Sequence, residues 1–277
     1  MKIVNGYDLM KYAKDNNYIL PAFNTTNLEM TYAIAKGLNK ANLPGYIQIS
    51  SNNLRLSSPE TIVYLTEKAL YDSDVPIGLH LDHGKSYEDV KACVDAGFTS
   101  IMIDASHLSF EDNIEAVKKA VQYCHFHNVP VEAELGAIKG KEEDIVNEAD
   151  CKTDPDMVYE FVKRTGCDLL AVSVGNVHGL DITPKVDLPL LKKLSEVSPV
   201  PLVMHGGSGI PFEVLQEAKK YGLIKINYGS DLRKAYISTF GEAYEKNHNE
   251  CSVIDLSIKS IENISNTAKY ITEKINA

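Results

Sequence analysis

The sequence predicts an α/β protein folded as one (β/α)8 barrel, on three observations. Eight short apolar runs recur at fairly even spacing, each is followed by a segment of helical periodicity, and 277 residues with 44% hydrophobic content lie within the range of an undivided barrel. Near-continuous apolar runs mark parallel strands covered on the outside by helices, and eight such units in one domain favour a closed barrel over an open doubly wound sheet.

The strands are expected at YILPAF (18–23), GYIQIS (45–50), PIGLHLD (76–82), TSIMID (99–104), VPVEAEL (129–135), DLLAVSV (168–174), VPLVMHG (200–206) and LIKINYG (223–229). A helical segment at about residues 5–15 precedes the first strand and is expected to cap the barrel bottom. Residues from about 231 to 277 are expected to form a helical extension. No linker, low-complexity segment or short-period repeat interrupts this single domain.

Composition excludes several classes of function. A formal charge of −10 disfavours general nucleic-acid binding, which needs a clustered basic surface. No stretch approaches the roughly 20 apolar residues that span a bilayer, so no membrane partner is expected. Five cysteines, an odd number without a C-x-x-C pair, argue against both a disulfide framework and a cysteine zinc cluster, and a reducing, cytoplasmic compartment is expected.

Barrel active sites gather at the carboxyl ends of the strands, so the residues expected there carry the chemistry. They include His80-Leu81-Asp82-His83, Asp104, Glu132-Ala133-Glu134, Asn176-Val177-His178-Gly179, His205-Gly206-Gly207-Ser208 and Asn227-Tyr228-Gly229-Ser230. His83, His178 and His205 lie far apart in sequence, yet a barrel brings them to one rim. Three imidazoles with an open position suit a catalytic zinc ion, although any one alone reads equally well as a structural histidine. His80 is expected deeper in the barrel, and His107, His125, His127 and His248 fall on helices or loops.

Asp82 directly precedes a proposed ligand, which suits either a general acid or base or a carboxylate that orients a histidine. Asp104 and Glu134 would hold a second or alternate metal position or support the histidines. Gly179, Gly206, Gly207, Ser208, Asn227, Gly229 and Ser230 fall in the sector where barrels often bind phosphate, though a glycine-rich turn taken alone is equally a tight strand-to-helix turn. The segment from Gly136 to Asp144 is long and polar, and it reads either as a solvated acidic loop or as a flap bringing Glu142 to the reacting carbon.

The blocks HLDHG, SIMIDASHL, VEAELGAIKGKEEDIVNEAD, AVSVGNVHGL, PLVMHGGSGIP and KINYGSDLR, spread over most of residues 15 to 240, resemble the class II ketose-bisphosphate aldolases, which include fructose- and tagatose-bisphosphate aldolases. The resemblance implies a metal-dependent lyase of carbohydrate metabolism. It would have one catalytic Zn2+ on His83, His178 and His205, Asp82 as acid/base at the C4 hydroxyl, and Glu142 as a proton shuttle. It further implies a dihydroxyacetone phosphate site that includes Gly179, Gly207, Ser208, Asn227 and Ser230, a monovalent cation (Na+ or K+) near the phosphate, and a homodimer or homotetramer; Ser50 is a further substrate-binding candidate. The substrate would be a phosphorylated ketose.

Four departures concern specificity. Gly229 stands where fructose-specific relatives usually carry aspartate, and the run Asn147-Glu148-Ala149-Asp150 looks more like the tagatose branch. Ser50-Ser51-Asn52-Asn53-Leu54-Arg55 replaces a usually glycine-rich loop, and Lys139 a usual glycine. Asp255-Leu256-Ser257 aligns with an Asp-Pro-Arg whose arginine grips the distal phosphate, leaving Arg55 and Lys259 as substitutes. Three rivals remain: a Schiff-base aldolase using Lys225, a metal-dependent hydrolase, and a non-catalytic partner subunit of the family.

Overall fold

A computed structural model describes residues 3–136, 138–142, 145–147, 152–180 and 183–277, with 139–142, 145–147 and 249 described by backbone alone. Eight parallel strands close a barrel: β1 (Leu20–Asn24), β2 (Gly45–Ser50), β3 (Ile77–Gly84), β4 (Ser100–Ile103), β5 (Val131–Leu135), then β8 (Leu169–Val172), β10 (Leu202–Met204) and β11 (Leu223–Tyr228), which pairs back onto β1. Between them, β6 (Lys139–Glu142) and β7 (Ile145–Asn147) form an antiparallel hairpin. β6 also pairs in parallel with the two-residue β9 (Val177–His178).

The two-residue period of a strand divides the apolar residues into two clusters. Ile19, Phe23, Ile47, Ile49, Ile101, Ile103, Leu170 and Val172 pack outward under the helices, while Leu20, Ala22, Tyr46, Met102, Leu169 and Ala171 pack inside the barrel. Helix α1 (Gly6–Asp15) closes the bottom by adding Leu9 and Ala13 to the inner cluster, and the Gly6 amide donates to Thr99 O at 2.9 Å. Asn5 caps it, its side chain accepting from the Tyr7 amide.

Seven helices follow strands around the outside: α2 (Leu28–Ala41), α3 (Pro59–Ala69), α4 (Tyr87–Ala96), α5 (Phe110–Phe126), α6 (Pro155–Thr165), α7 (Leu188–Val197) and α8 (Phe212–Lys219). After β11 come α9 (Ser230–Asn247) and the long α10 (Val253–Ile275), which packs tightly along α2. A Cβ at Gly37 of α2 would stand 2.7 Å from Ser265 O of α10. Among the described residues no helix is long and apolar enough to cross a membrane. Cys93, Cys124 and Cys167 are buried free thiols, and burial pushes Cys124 and Cys167 up to about 12, too high for nucleophiles at neutral pH.

Above the inner apolar cluster the barrel interior turns polar. Gln48, His80, Ser100, Glu132 and Lys225 are all buried there, and the carboxyl ends of the strands open into the cleft above.

Candidate active site

In regular β-structure Asp82 and His83 would face opposite sides of the sheet. The pairing of β3 with β4 shifts register between Leu81 and Gly84, and His83 takes a left-handed backbone (φ 46°). The bulge brings both side chains to the same site, at a cost on the order of 1–3 kcal/mol for a non-glycine residue in that region.

His83 Nδ1 lies 2.7 Å from Asp104 Oδ2, and Asp104 Oδ1 accepts from the Ser106 amide and hydroxyl at 3.1 and 2.8 Å. His205, just beyond β10, puts Nε2 at 2.8 Å from Glu132 Oε1 and Nδ1 at 2.9 Å from His83 Nε2. The sequence places His178 at the end of the sixth barrel strand. In the structure it lies beyond β8 in the separate β9, held against β10 because Asn176 Nδ2 donates to His205 O at 3.0 Å. Gly206 fits this junction alone: its φ is +65°, and a Cβ would meet Val177 O at 2.0 Å.

Ligand atoms of His83, His178 and His205 lie within 4.8 Å of one another, as do those of His83, Asp104 and Glu134. The donor set fits a divalent cation. Carboxylates engage His83 Nδ1 and His205 Nε2, and with both rings neutral and their protons on those nitrogens, two lone pairs would meet across 2.9 Å. A cation between them relieves that repulsion.

Burial favours the neutral form of His205 and His80, while the carboxylate supports Glu132 and Asp104 stay charged. Burial lowers His205, and lowers His80 well below its ordinary value. Burial alone would raise Glu132 and Asp104. The Lys225 charge and the His205 bond hold Glu132 below the usual carboxylate range, and the His83 bond does the same for Asp104. Asp104 thus engages His83 and Ser106, and it also belongs to the group with His83 and Glu134 whose ligand atoms lie within 4.8 Å of one another. Glu134 Oε2 stands 3.7 Å from His205 Nδ1. His80 is deeper, with Nδ1 2.8 Å from Ser100 Oγ.

Both oxygens of buried Asp82 accept from amides: Oδ2 from Asn24 Nδ2 at 2.7 Å and Oδ1 from Asn227 Nδ2 at 2.9 Å. Asn24 Oδ1 in turn accepts from Gln48 Nε2 at 2.8 Å, and Asn227 Oδ1 from Lys225 Nζ at 2.7 Å. Lys225 Nζ also pairs with Glu132 Oε2 at 2.9 Å. Neither Asn24 nor Gln48 stands out in the sequence. The available signal is a polar residue at an inward position of an otherwise apolar strand.

The cleft wall beside this network carries His178, Gly179, Gly206, Ser208, Asn227, Gly229 and Ser230 from the expected set, with Asn24, Thr26, Met30, Asn53 and Arg233 added. One expectation changes here. The Gly207 amide is spent on Asn227 O at 2.9 Å, so it is not a free donor for phosphate. Ser50 is buried at the end of β2, and Asn53 takes the wall position, its amide 3.4 Å from Ser50 Oγ. Arg233 Nη2 donates to Ser230 Oγ at 3.2 Å and is the one lysine or arginine of that wall among the described residues. Arg55 and Lys259 are exposed and lie outside it. Glu142 belongs to β6, but its side chain lies outside the described residues, as do Glu148, Ala149 and Asp150.

The family pattern described as class II fructose-bisphosphate aldolase matches residues 4–277. The chain belongs to this family. It is 40% identical over 235 residues to a fructose-bisphosphate aldolase of Staphylococcus epidermidis, covering 83% of this chain and 82% of that one. It is 38% identical over 253 residues to the fructose-bisphosphate aldolase of Geobacillus stearothermophilus, covering 90% and 88%. The crystal structure of the YdjI aldolase from Escherichia coli K12 superposes with a TM-score of 0.86 at 29% identity, over 99% of this chain and 97% of that one. Within a class II aldolase Lys225 reads differently from a Schiff-base nucleophile, because its ammonium is buried in an ion pair with Glu132 rather than presented to the cleft.

Proposed function

We propose that this chain is a zinc-dependent aldolase that reversibly cleaves a ketose 1,6-bisphosphate, of tagatose or fructose type, to dihydroxyacetone phosphate and glyceraldehyde 3-phosphate. The observation that carries the reading is the convergence of the His83, His178 and His205 ligand atoms within 4.8 Å, beside the doubly anchored carboxylate of Asp82.

A zinc ion bound by the three histidines would supply Lewis-acid polarisation of the ketose carbonyl. The protein's own groups do the rest. Asp82 takes the C4 hydroxyl proton as the C3–C4 bond breaks, the O–H pair becomes the aldehyde carbonyl, and the bond pair passes to C3 next to the polarised carbonyl. The resemblance assigns protonation of C3 to Glu142. Ser208, Ser230, Gly179 and Gly229 hold the donor phosphate at the start of α9, where helix N-terminal amides favour an anion.

A second reading, an aldolase with a different or unphosphorylated aldehyde partner, is favoured by one observation. Ser257 donates its hydroxyl to Glu29 Oε1 at 3.1 Å, in the place where the resemblance expects the distal-phosphate arginine. Condensation of dihydroxyacetone phosphate with phosphorylated and unphosphorylated aldehydes, with the C4 configuration of each product determined, decides between the two. Absence of any carbon–carbon bond formation, with phosphate released instead, would overturn both and favour a hydrolase.

A further inference from the structure

Lys225 is the buried charged residue that neither metal binding nor proton transfer uses. Its strand neighbours Ile224 and Ile226 are apolar, and burying an ammonium is costly unless it is paired and hydrogen-bonded. Here it is both, through Glu132 at 2.9 Å and Asn227 Oδ1 at 2.7 Å. Replacing the pair by apolar side chains of similar volume would often cost little stability, so the pair invites a role other than holding the barrel together.

The geometry supplies one. A side-chain amide has two ends of opposite polarity, and either end of Asn227 would occupy the same space. An ammonium can only donate, so Lys225 fixes Oδ1 toward itself and leaves Nδ2 as the end that faces Asp82 Oδ1 at 2.9 Å. A flipped amide would put oxygen against carboxylate oxygen, push Asp82 off its line and remove one of its two anchors. Gln48 does the same for Asn24, but with an amide that can itself flip. Lys225 is the member of the network that cannot be reversed.

We infer that Lys225 is a positioning residue for carbon–carbon cleavage: it locks the Asn227 amide so that the Asp82 carboxylate is held in line with the substrate hydroxyl. Glu132 balances the charge and at the same time supports His205, so one ion pair joins the acid to the metal-binding histidine. The inference rests on the proposed role of Asp82 as the group that accepts the C4 hydroxyl proton.

The test compares zinc-loaded wild type with Lys225→Met, Asp82→Ala and the double variant. Four quantities are read: zinc content, kcat and KM for cleavage, and exchange of a hydroxymethyl hydrogen of dihydroxyacetone phosphate (the carbon that was C3 of the ketose) with deuterated water, a step that does not need Asp82. For Lys225→Met the expected results are full zinc content, a kcat loss of about 10- to 100-fold, and KM and exchange changed by less than about threefold. The double variant should be no slower than Asp82→Ala, because both changes remove one function. Should Lys225→Met fail to fold, the charge-neutral Lys225→Met/Glu132→Gln variant replaces it. Because Glu132→Gln weakens the support of His205, that comparison is made at saturating zinc.

An unchanged kcat, exchange falling in step with cleavage, or losses that multiply with Asp82→Ala would each overturn the inference. A wild-type rate in Asp82→Ala would overturn the role of Asp82 itself, and is told apart from the other outcomes by that single variant.

Discussion

His83 departs from regular strand geometry, and that departure lets one short sequence, Leu81-Asp82-His83-Gly84, deliver a carboxylate and an imidazole to the same point. Replacing His83, His178 or His205 with alanine is expected to abolish stoichiometric zinc and nearly all cleavage while the fold survives, as metal analysis and circular dichroism would show. Wild-type metal content in two of the three would contradict the ligand set. Asp104→Asn keeps the ligands but weakens the support of His83, and should lower zinc affinity by about 10- to 100-fold in a competition titration. Asp82→Ala is expected to keep zinc and lose about 10²-fold or more in kcat. The histidines and Asp82 were legible in the sequence because polar residues at the ends of apolar strands are conspicuous. The bulge was not, since alternation predicts only regular strands. Nor was the pairing of Asp82 with Asn24 and Asn227, which lie 58 and 145 residues away and meet only when the barrel closes.

At the scale of elements, the strand runs and their order followed from apolar patterning, but the segments between β5 and β10 did not. Gly136 to Asp144 reads as a solvated acidic loop or a closing flap, yet β6 and β7 pair as a hairpin whose partner strand carries His178. Backbone hydrogen bonds build that hairpin, and they leave little mark in side-chain composition. The start of α9 raises the question of aldehyde choice. Arg233 stands in the cleft wall, anchored on Ser230, and a charge-assisted bond of its kind is worth roughly 1.5–3 kcal/mol. Arg233→Ala is therefore expected to narrow the kcat/KM preference for glyceraldehyde 3-phosphate over glyceraldehyde by about tenfold or more. If the KM for dihydroxyacetone phosphate rises while that preference stays constant, Arg233 serves the donor phosphate instead.

Taken as a whole, the barrel is apolar at its base and polar in its upper half, so its stability is tied to protonation. His80 and His205 are buried with their pKa values below the ordinary 6.5, so the unfolded chain binds more protons as the pH falls under that value. Their contribution is present above about pH 6.5 and declines below it by up to about 1.4 kcal/mol per pH unit for each histidine. Glu132 and Asp104 have depressed values, and their contribution is lost only below the unfolded carboxylate range, near pH 4. Urea unfolding of metal-stripped protein should thus show stability falling between pH 6.5 and 5, and a flat profile there would contradict neutral buried histidines. Metal-dependent carbon–carbon cleavage at this site is tested by incubating the protein with fructose 1,6-bisphosphate and with tagatose 1,6-bisphosphate before chelation, after chelation, and after zinc is restored. At least one substrate is expected to yield dihydroxyacetone phosphate without phosphate release, with chelation abolishing the reaction and zinc returning it. Cleavage that persists in the fully chelated protein, or phosphate release in place of cleavage, would contradict it.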